Sequence, residues 1–297
     1  RTYLMELIDE GLLHTYDKAI ESYVGAKEEI GPAKAAIIAL LNSYSSKMSD
    51  INLLIKNNRY ASANIIIRTA FENEIYIRYI LGRKNRQELR GNAYFYSDFQ
   101  KLSDYLTHMD STESFNATEL IDSMNNSNNS DILGHFRNVN DYLNRFRQQF
   151  RSCFRFNGNE NTKGLRFRTF NDSEPFQQCK IDKWKWYNDD NKTSNFRLLV
   201  TRLHYTDEYM ALYSPTSDDV HSDGLRRSIK PNKDNHTLII SESYNPSMLI
   251  FFRGSVIDNI KLMQQSTDDL HVCSNLKHFR EQAKNIYVAN YRYGRKR

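Results

Sequence analysis

Apolar residues recur every three or four positions along most of this chain, and that period predicts helices. Residues 3–27 read as a first amphipathic helix. Gly31-Pro32 breaks it, and Pro32 suits the first position of the next. Ile37, Ile38, Leu40, Leu41, Met48, Ile51, Leu54 and Ile55 place a helix over 33–56, and Asn57-Asn58 a turn. The pattern is strongest over 59–83. There Ala63, Ile66, Ile67, Ala70, Ile77 and Leu81 share one face, while Ile65, Ile75, Tyr76 and Tyr79 fill much of the other. A helix apolar nearly all round belongs at the centre of its bundle. Residues 86–109 continue with an aromatic stripe of Tyr94, Phe95, Phe99, Leu102, Tyr105 and Leu106. Ser111 to Ser130 is rich in Asn and Ser and reads as a loop holding at most a short helix. Helical spacing resumes over 131–151.

The period then changes. Cys153-Phe-Arg-Phe156 and Leu165-Arg-Phe-Arg-Thr-Phe170 alternate with period two around a Gly- and Asn-rich centre, which predicts a β-hairpin over 153–170. Residues 171–193 are irregular and hold Trp184 and Trp186. A helix is expected over 195–213, with Leu198, Leu199, Leu203, Met210 and Leu212 in the core. After an exposed stretch at 225–235, His236 to Ile240 reads as a short strand or buried extended segment. Helices from about 246 to 267 and 275 to 290 precede a basic tail. The expected architecture is therefore mainly all-α: one multi-helix bundle over 1–297 with a basic and aromatic insertion at about 145–193.

Composition supports that reading. The 297 residues contain only 11 Gly and 5 Pro, too few turn formers for a many-stranded barrel or sandwich. The 39% of hydrophobic residues includes 19 Tyr and 16 Phe, each able to bury a large area. Cys153, Cys179 and Cys273 are unpaired in spacing and are expected to be reduced thiols in a cytoplasmic protein. No apolar run approaches the roughly 18 residues of a membrane span. No signal-peptide pattern stands at the start, and because the chain opens on Arg1 rather than Met, a preceding residue or segment is expected. Charge changes the picture more. Residues 136–170 carry eight Arg and Lys against Asp141 and Glu160, a local +6, whereas the whole chain carries +5. Arg145, Arg147, Arg151, Arg155, Arg166 and Arg168, interleaved with Phe154, Phe156, Phe167 and Phe170, suit phosphate contact and base stacking. They suit equally a solvated hairpin docked by its Phe side chains, or a surface meeting an acidic protein.

Two places hold candidate chemistry. Arg68 and Glu72 are polar intruders at i and i+4 on the apolar helix 59–83. They read either as a structural lock or as a polar pocket for phosphate. His221 stands in a polar run four residues after Ser217. An imidazole titrates near neutral pH and serves as general acid or base, or else ties a helix end to the bundle. Tyr205, Tyr209 and Tyr213 fall at i, i+4 and i+8 as a packing stripe or a stacking platform. Phosphate-binding loops, dinucleotide fingerprints, serine-nucleophile elbows and His-x-x-x-His metal spacing are missing. Asp218 and Asp219 are too weak a set to assign a metal, and no cofactor is expected.

Ile67-Arg-Thr-Ala-Phe-Glu72, then Trp184 or Trp186, then Tyr209-x-x-x-Tyr213-x-x-x-Ser217-x-x-Val-His221 resembles an uncharacterised family of bacterial helical proteins with an early R-x-x-x-E helix and a late Y-x-x-x-S-x-x-x-H element. More distantly the chain resembles HEPN domains. That likeness implies an all-helical, commonly dimeric protein, in many members a metal-independent ribonuclease of toxin–antitoxin or phage-defence systems. The HEPN signature has Arg four to six residues before His, and here position 217 is Ser. The resemblance implies an RNA-cleaving effector with His221 as acid or base, Arg68 on the phosphate and Glu72 orienting Arg68. Against it stands a non-catalytic RNA- or protein-binding sensor of a defence system. The open partners are RNA through 145–170, a protein such as an antitoxin, and a second copy of the chain.

Overall fold

The computed structural model describes residues 8, 10–25, 30–110, 117–126, 137–149, 185–188, 192–214, 229–232, 237–240 and 247–295. These divide into two compact units, one of residues 1–29, 37–87 and 195–297, the other of 30–36 and 88–194. The described residues are mainly helical.

In the first unit, α1 (Glu10–Val24) leads by way of Gly25 to α2 (Pro32–Lys56), which starts in the second unit and takes Pro32 as its first helical residue. Asn58 ends α2. It is left-handed (φ 56°), its N–H bonds back to Ile55 O, and Arg59 N–H reaches Leu54 O. That pattern satisfies the last carbonyls of a helix while reversing the chain, so α3 (Tyr60–Leu81) returns antiparallel to α2. A 3-10 turn (Lys84–Arg86) joins α3 to α4 (Gln87–Asp110). After the second unit come α7 (Phe196–Arg202) and a short α8 (Thr206–Glu208) that widens into a π-helical turn (Tyr209–Tyr213). Strands β1 (Ile229–Asn232) and β2 (Thr237–Ile240) pair antiparallel, Ile229 opposite Ile240. Then α9 (Ser247–Ser266) and α10 (Leu270–Arg295) pack on each other and on α1, and α9 also packs on α3. At the centre Tyr16, Tyr44 and Phe252 meet edge to face, with centroids 5.9 and 6.2 Å apart. The Asn52 amide clamps Ile8 by bonding both its N–H (3.0 Å) and its carbonyl (2.9 Å), which fixes the entry to α1.

The second unit holds most of α4, α5 (Ala117–Asn126) and α6 (Val139–Gln149). Gly91 on α4 lies so close to Ala33 that an added Cβ would stand 2.9 Å from its backbone, so only hydrogen fits there. Trp186 packs edge to face on Tyr94 at 4.8 Å and is buried.

Helix 59–83 is the clearest agreement with expectation. Ala63, Ile67, Ala70, Ile75, Ile77, Tyr79 and Leu81 are all buried. The short α5 falls inside the expected loop at 111–130, and β2 within the segment expected to be extended. Two expectations need correction. The helix over 195–213 is two pieces. His204 is left-handed (φ 63°), and Tyr205 N–H reaches Val200 O, the same capping pattern that ends α2. The break and the π-turn shift the helical phase, so Leu199 and Leu212 are buried while Leu198 and Met210 are exposed. On α4 the stripe divides: Leu106 is buried with Ala93 and Tyr96, while Leu102 and Tyr105 are exposed. Ile65, expected inside, is also exposed. The β-hairpin expected over 153–170 lies outside the described residues. Of the cysteines, Cys273 is described and is a free thiol.

Candidate functional site

On α3, residues four apart stand one above the other, so Arg68 and Glu72 share a face. Their charged groups are 3.7 Å apart, with side-chain exposures of 20% and 29%. The π-turn packs on α3 and delivers Tyr213 between them. Arg68 Nη2 donates to the Tyr213 hydroxyl at 3.0 Å, and that hydroxyl donates to Glu72 Oε1 at 2.8 Å. The Arg68 guanidinium also lies over the Tyr213 ring, 4.7 Å from its centroid, a cation–π arrangement. A widened turn of this kind re-aims side chains and is frequent at functional sites. Here its two tyrosines stack, Tyr209 on Tyr213 at 4.9 Å and 22° between planes. Phe196 leans on Tyr213 at 5.1 Å, and Phe71 closes the floor at 6.1 Å. Asn195 starts α7 by accepting Leu198 N–H on its side chain, which positions Phe196 against Tyr213.

Burial first, and then the Glu72 carboxylate, push the Tyr213 phenol up to about 12 against the opposing pull of Arg68. The phenol therefore keeps its proton, and it is the donor in its bond to Glu72. Lys47 on α2 belongs to the same neighbourhood. It is half-buried, and desolvation pushes its ammonium down while Glu72 pulls it back up.

A second polar cluster lies one and a half turns further along α3. Glu74 is wholly buried and bonds Arg78 Nε; Arg78 Nη2 reaches Asp258 Oδ2 at 3.1 Å. Asn259 Nδ2 donates to Glu74 Oε2 at 2.7 Å and lies 3.4 Å from the Tyr16 hydroxyl. The Arg78 guanidinium sits over the Tyr205 ring at 4.7 Å. Burial pushes the Glu74 carboxyl up, against the pull of Arg78. The charges here are paired and hydrogen-bonded, as buried charges must be.

Sequence reasoning named Arg68 and Glu72 and missed Tyr213 as their partner, along with Lys47 and the whole Glu74 cluster. The signal was present in part. Helix α3 carries a second i, i+4 charge pair, Glu74 and Arg78, on faces otherwise apolar. Of the other candidates, Ser217 and His221 lie outside the described residues, as do Arg151, Arg155, Arg166 and Arg168. Arg147 falls in α6. Arg145 is engaged: its Nε and Nη2 grip the two oxygens of Asp141 at 3.0 and 3.1 Å, an intrahelical fork that competes with any phosphate. Among the described residues no three His, Cys, Asp or Glu side chains converge as a metal site would need, and no helix is long and apolar enough to cross a membrane.

The model of a family of unknown function, DUF5677, matches residues 34–237. The chain belongs to that family. The matched span holds the R-x-x-x-E face of α3 and the tyrosine element that meets it, the two parts on which the sequence resemblance rests. No curated protein and no solved structure matches the chain.

Proposed function

We propose that this chain is a helical, HEPN-like effector of bacterial phage defence or a toxin system that cleaves RNA without a metal ion. The observation that carries the reading is the Arg68–Tyr213–Glu72 bridge. It ties the R-x-x-x-E helix to the start of the element that continues to Ser217 and His221. A basic, Phe-rich segment at 145–170 supports it as a surface for the strand. In this mechanism His221 takes the proton of a ribose 2′-hydroxyl. The oxyanion attacks the adjacent phosphorus, the bond to the 5′-oxygen breaks, and that oxygen takes a proton from solvent. The products are a 2′,3′-cyclic phosphate and a 5′-hydroxyl. Arg68 steadies the phosphoryl charge and Glu72 orients Arg68. The test is mixed RNA incubated with the chain in EDTA. Cleavage is expected, and His221→Ala should lower it by about 10²–10⁴-fold, the usual worth of a general acid or base. An unaltered rate in that variant, or no cleavage by the unaltered chain, ends the reading.

One observation favours a second reading, a non-catalytic binding or sensing module. Arg68, Tyr213 and Glu72 bond one another, as a structural lock would. In that case replacing Arg68 or Glu72 destabilises the fold by about 1–2 kcal/mol, the worth of a partly exposed charged hydrogen bond, where a catalytic role alone predicts little change.

A further inference from the structure

The antiparallel α2–α3 hairpin is registered by Asn73 Nδ2, which donates to Ser43 Oγ at 3.0 Å. One turn along α2 from Ser43 is Lys47, and the matching step along α3 leads from Asn73 back to the turn that holds Arg68 and Glu72. That register turns Lys47, half-buried, toward the turn of α3 that holds Glu72, whose charge acts on it, and no hydrogen bond or close ion pair of its ammonium is found among the described residues. Two cations from two helices and one protonated phenol therefore surround a single carboxylate, leaving a net charge of +1 in a partly dry place. A half-buried ammonium that shares one carboxylate with a guanidinium is incompletely compensated, and an arriving anion removes that cost. A planar carboxylate is served by one guanidinium fork. Donors approaching from α2 and from α3 suit a tetrahedral oxyanion, whose oxygens point several ways.

We propose that Lys47 and Arg68 form a seat for one phosphodiester of single-stranded RNA, with Glu72 as the carboxylate that aims the guanidinium and Tyr213 as the ring and hydroxyl that hold it in place. The identity of the ligand rests on the RNA reading above; the anion chemistry rests on the two cations. Lys47 makes a ground-state contact, so its removal weakens binding. Tyr209, stacked on Tyr213 and partly exposed, offers the adjoining base a face.

The experiment uses a fluorescein-labelled 2′-O-methyl RNA oligonucleotide, which has no free 2′-hydroxyl and stays intact. Anisotropy is followed between about 50 and 200 mM salt, where phosphate contacts dominate the response. Lys47→Gln is expected to weaken binding about tenfold and to lower the slope of log affinity against log salt by about 0.7, the worth of one phosphate contact on a single strand. Its melting temperature should stay at or above that of the parent, because Lys47 holds nothing in the fold. Arg68→Gln should weaken binding in the same way. No measurable binding by the parent chain, or an unchanged affinity and slope in Lys47→Gln, overturns the seat. Failure of the cleavage reading looks different: Lys47-dependent binding persists while natural RNA stays uncut in EDTA.

Discussion

Tyr213 exchanges hydrogen bonds with two side chains that precede it by 145 and 141 residues. It accepts from Arg68 and donates to Glu72, and its phenol is held protonated by burial and by that same carboxylate. Hydrogen bonds to charged groups contribute more than neutral ones, so this single hydroxyl ties the π-turn to α3 with some force. Tyr213→Phe removes the hydroxyl and keeps the ring over Arg68 and against Tyr209. We expect it to cost about 1–2 kcal/mol, partly exposed as the site is. Glu72→Gln should cost a similar amount, and the double variant less than the two together, with a coupling of about 1 kcal/mol. Urea unfolding of the four proteins measures it. Strict additivity would mean that the bridge does not form in solution.

Helix α3 is the element on which both polar clusters are built, with the charge order reversed between them. Arg68 precedes Glu72, whereas Glu74 precedes Arg78, and each arginine lies under a tyrosine of the segment that includes α8 and the π-turn. The first cluster is partly open; in the second, Glu74 and Asn259 are fully buried between α3 and α9, and Arg78 reaches from them to the exposed Asp258. A sealed ion pair is a poor stabiliser as a pair but a severe loss when halved. Glu74→Ala leaves Arg78 short of its nearer carboxylate and the Asn259 amide without its acceptor, for an expected loss of about 3–5 kcal/mol in equilibrium unfolding. Glu74→Leu combined with Arg78→Met should recover much of that loss, since no buried charge then stands alone. A double variant as unstable as the single one would show that the hydrogen bonds of Asn259, rather than the charges, hold α3 to α9.

Across the whole molecule the phenols form the most consistent set of displaced groups. Burial is the first cause in each of Tyr16, Tyr23, Tyr44, Tyr142, Tyr205 and Tyr213, and all are raised. An unfolded chain releases these protons near the ordinary value of 10, whereas Tyr205 and Tyr213 in the fold hold theirs to about 12. The folded form binds more protons in that interval, so stability is full below pH 10 and is lost as pH climbs through about 12. A phenolate absorbance titration should show a late phase that coincides with loss of helix signal, and Tyr213→Phe should remove one phenol from it. A titration complete near pH 10 with the helices intact would show these rings to be solvated.

The order and length of the long helices were legible in the chain because burial along a helix imprints a period on its residues, and α2, α3 and α9 carry that period plainly. Two breaks were not legible in the same way. Asn58 announced its turn, since Asn tolerates the left-handed region, but His204 gave no such sign and the helix after it was read straight through. Arg68 and Glu72 stood out because charge on an apolar helix demands a partner. Their partner was hidden: a tyrosine at helical spacing looks the same whether it packs or bonds. Which tyrosine reaches which arginine depends on the docking of α8 and the π-turn against α3, and Lys47 enters only through the α2–α3 register. Local pattern fixes which faces must be buried, because that energy is a sum over a residue and its near neighbours. Pairings between distant polar groups depend on the relative placement of whole helices, a property no single segment encodes.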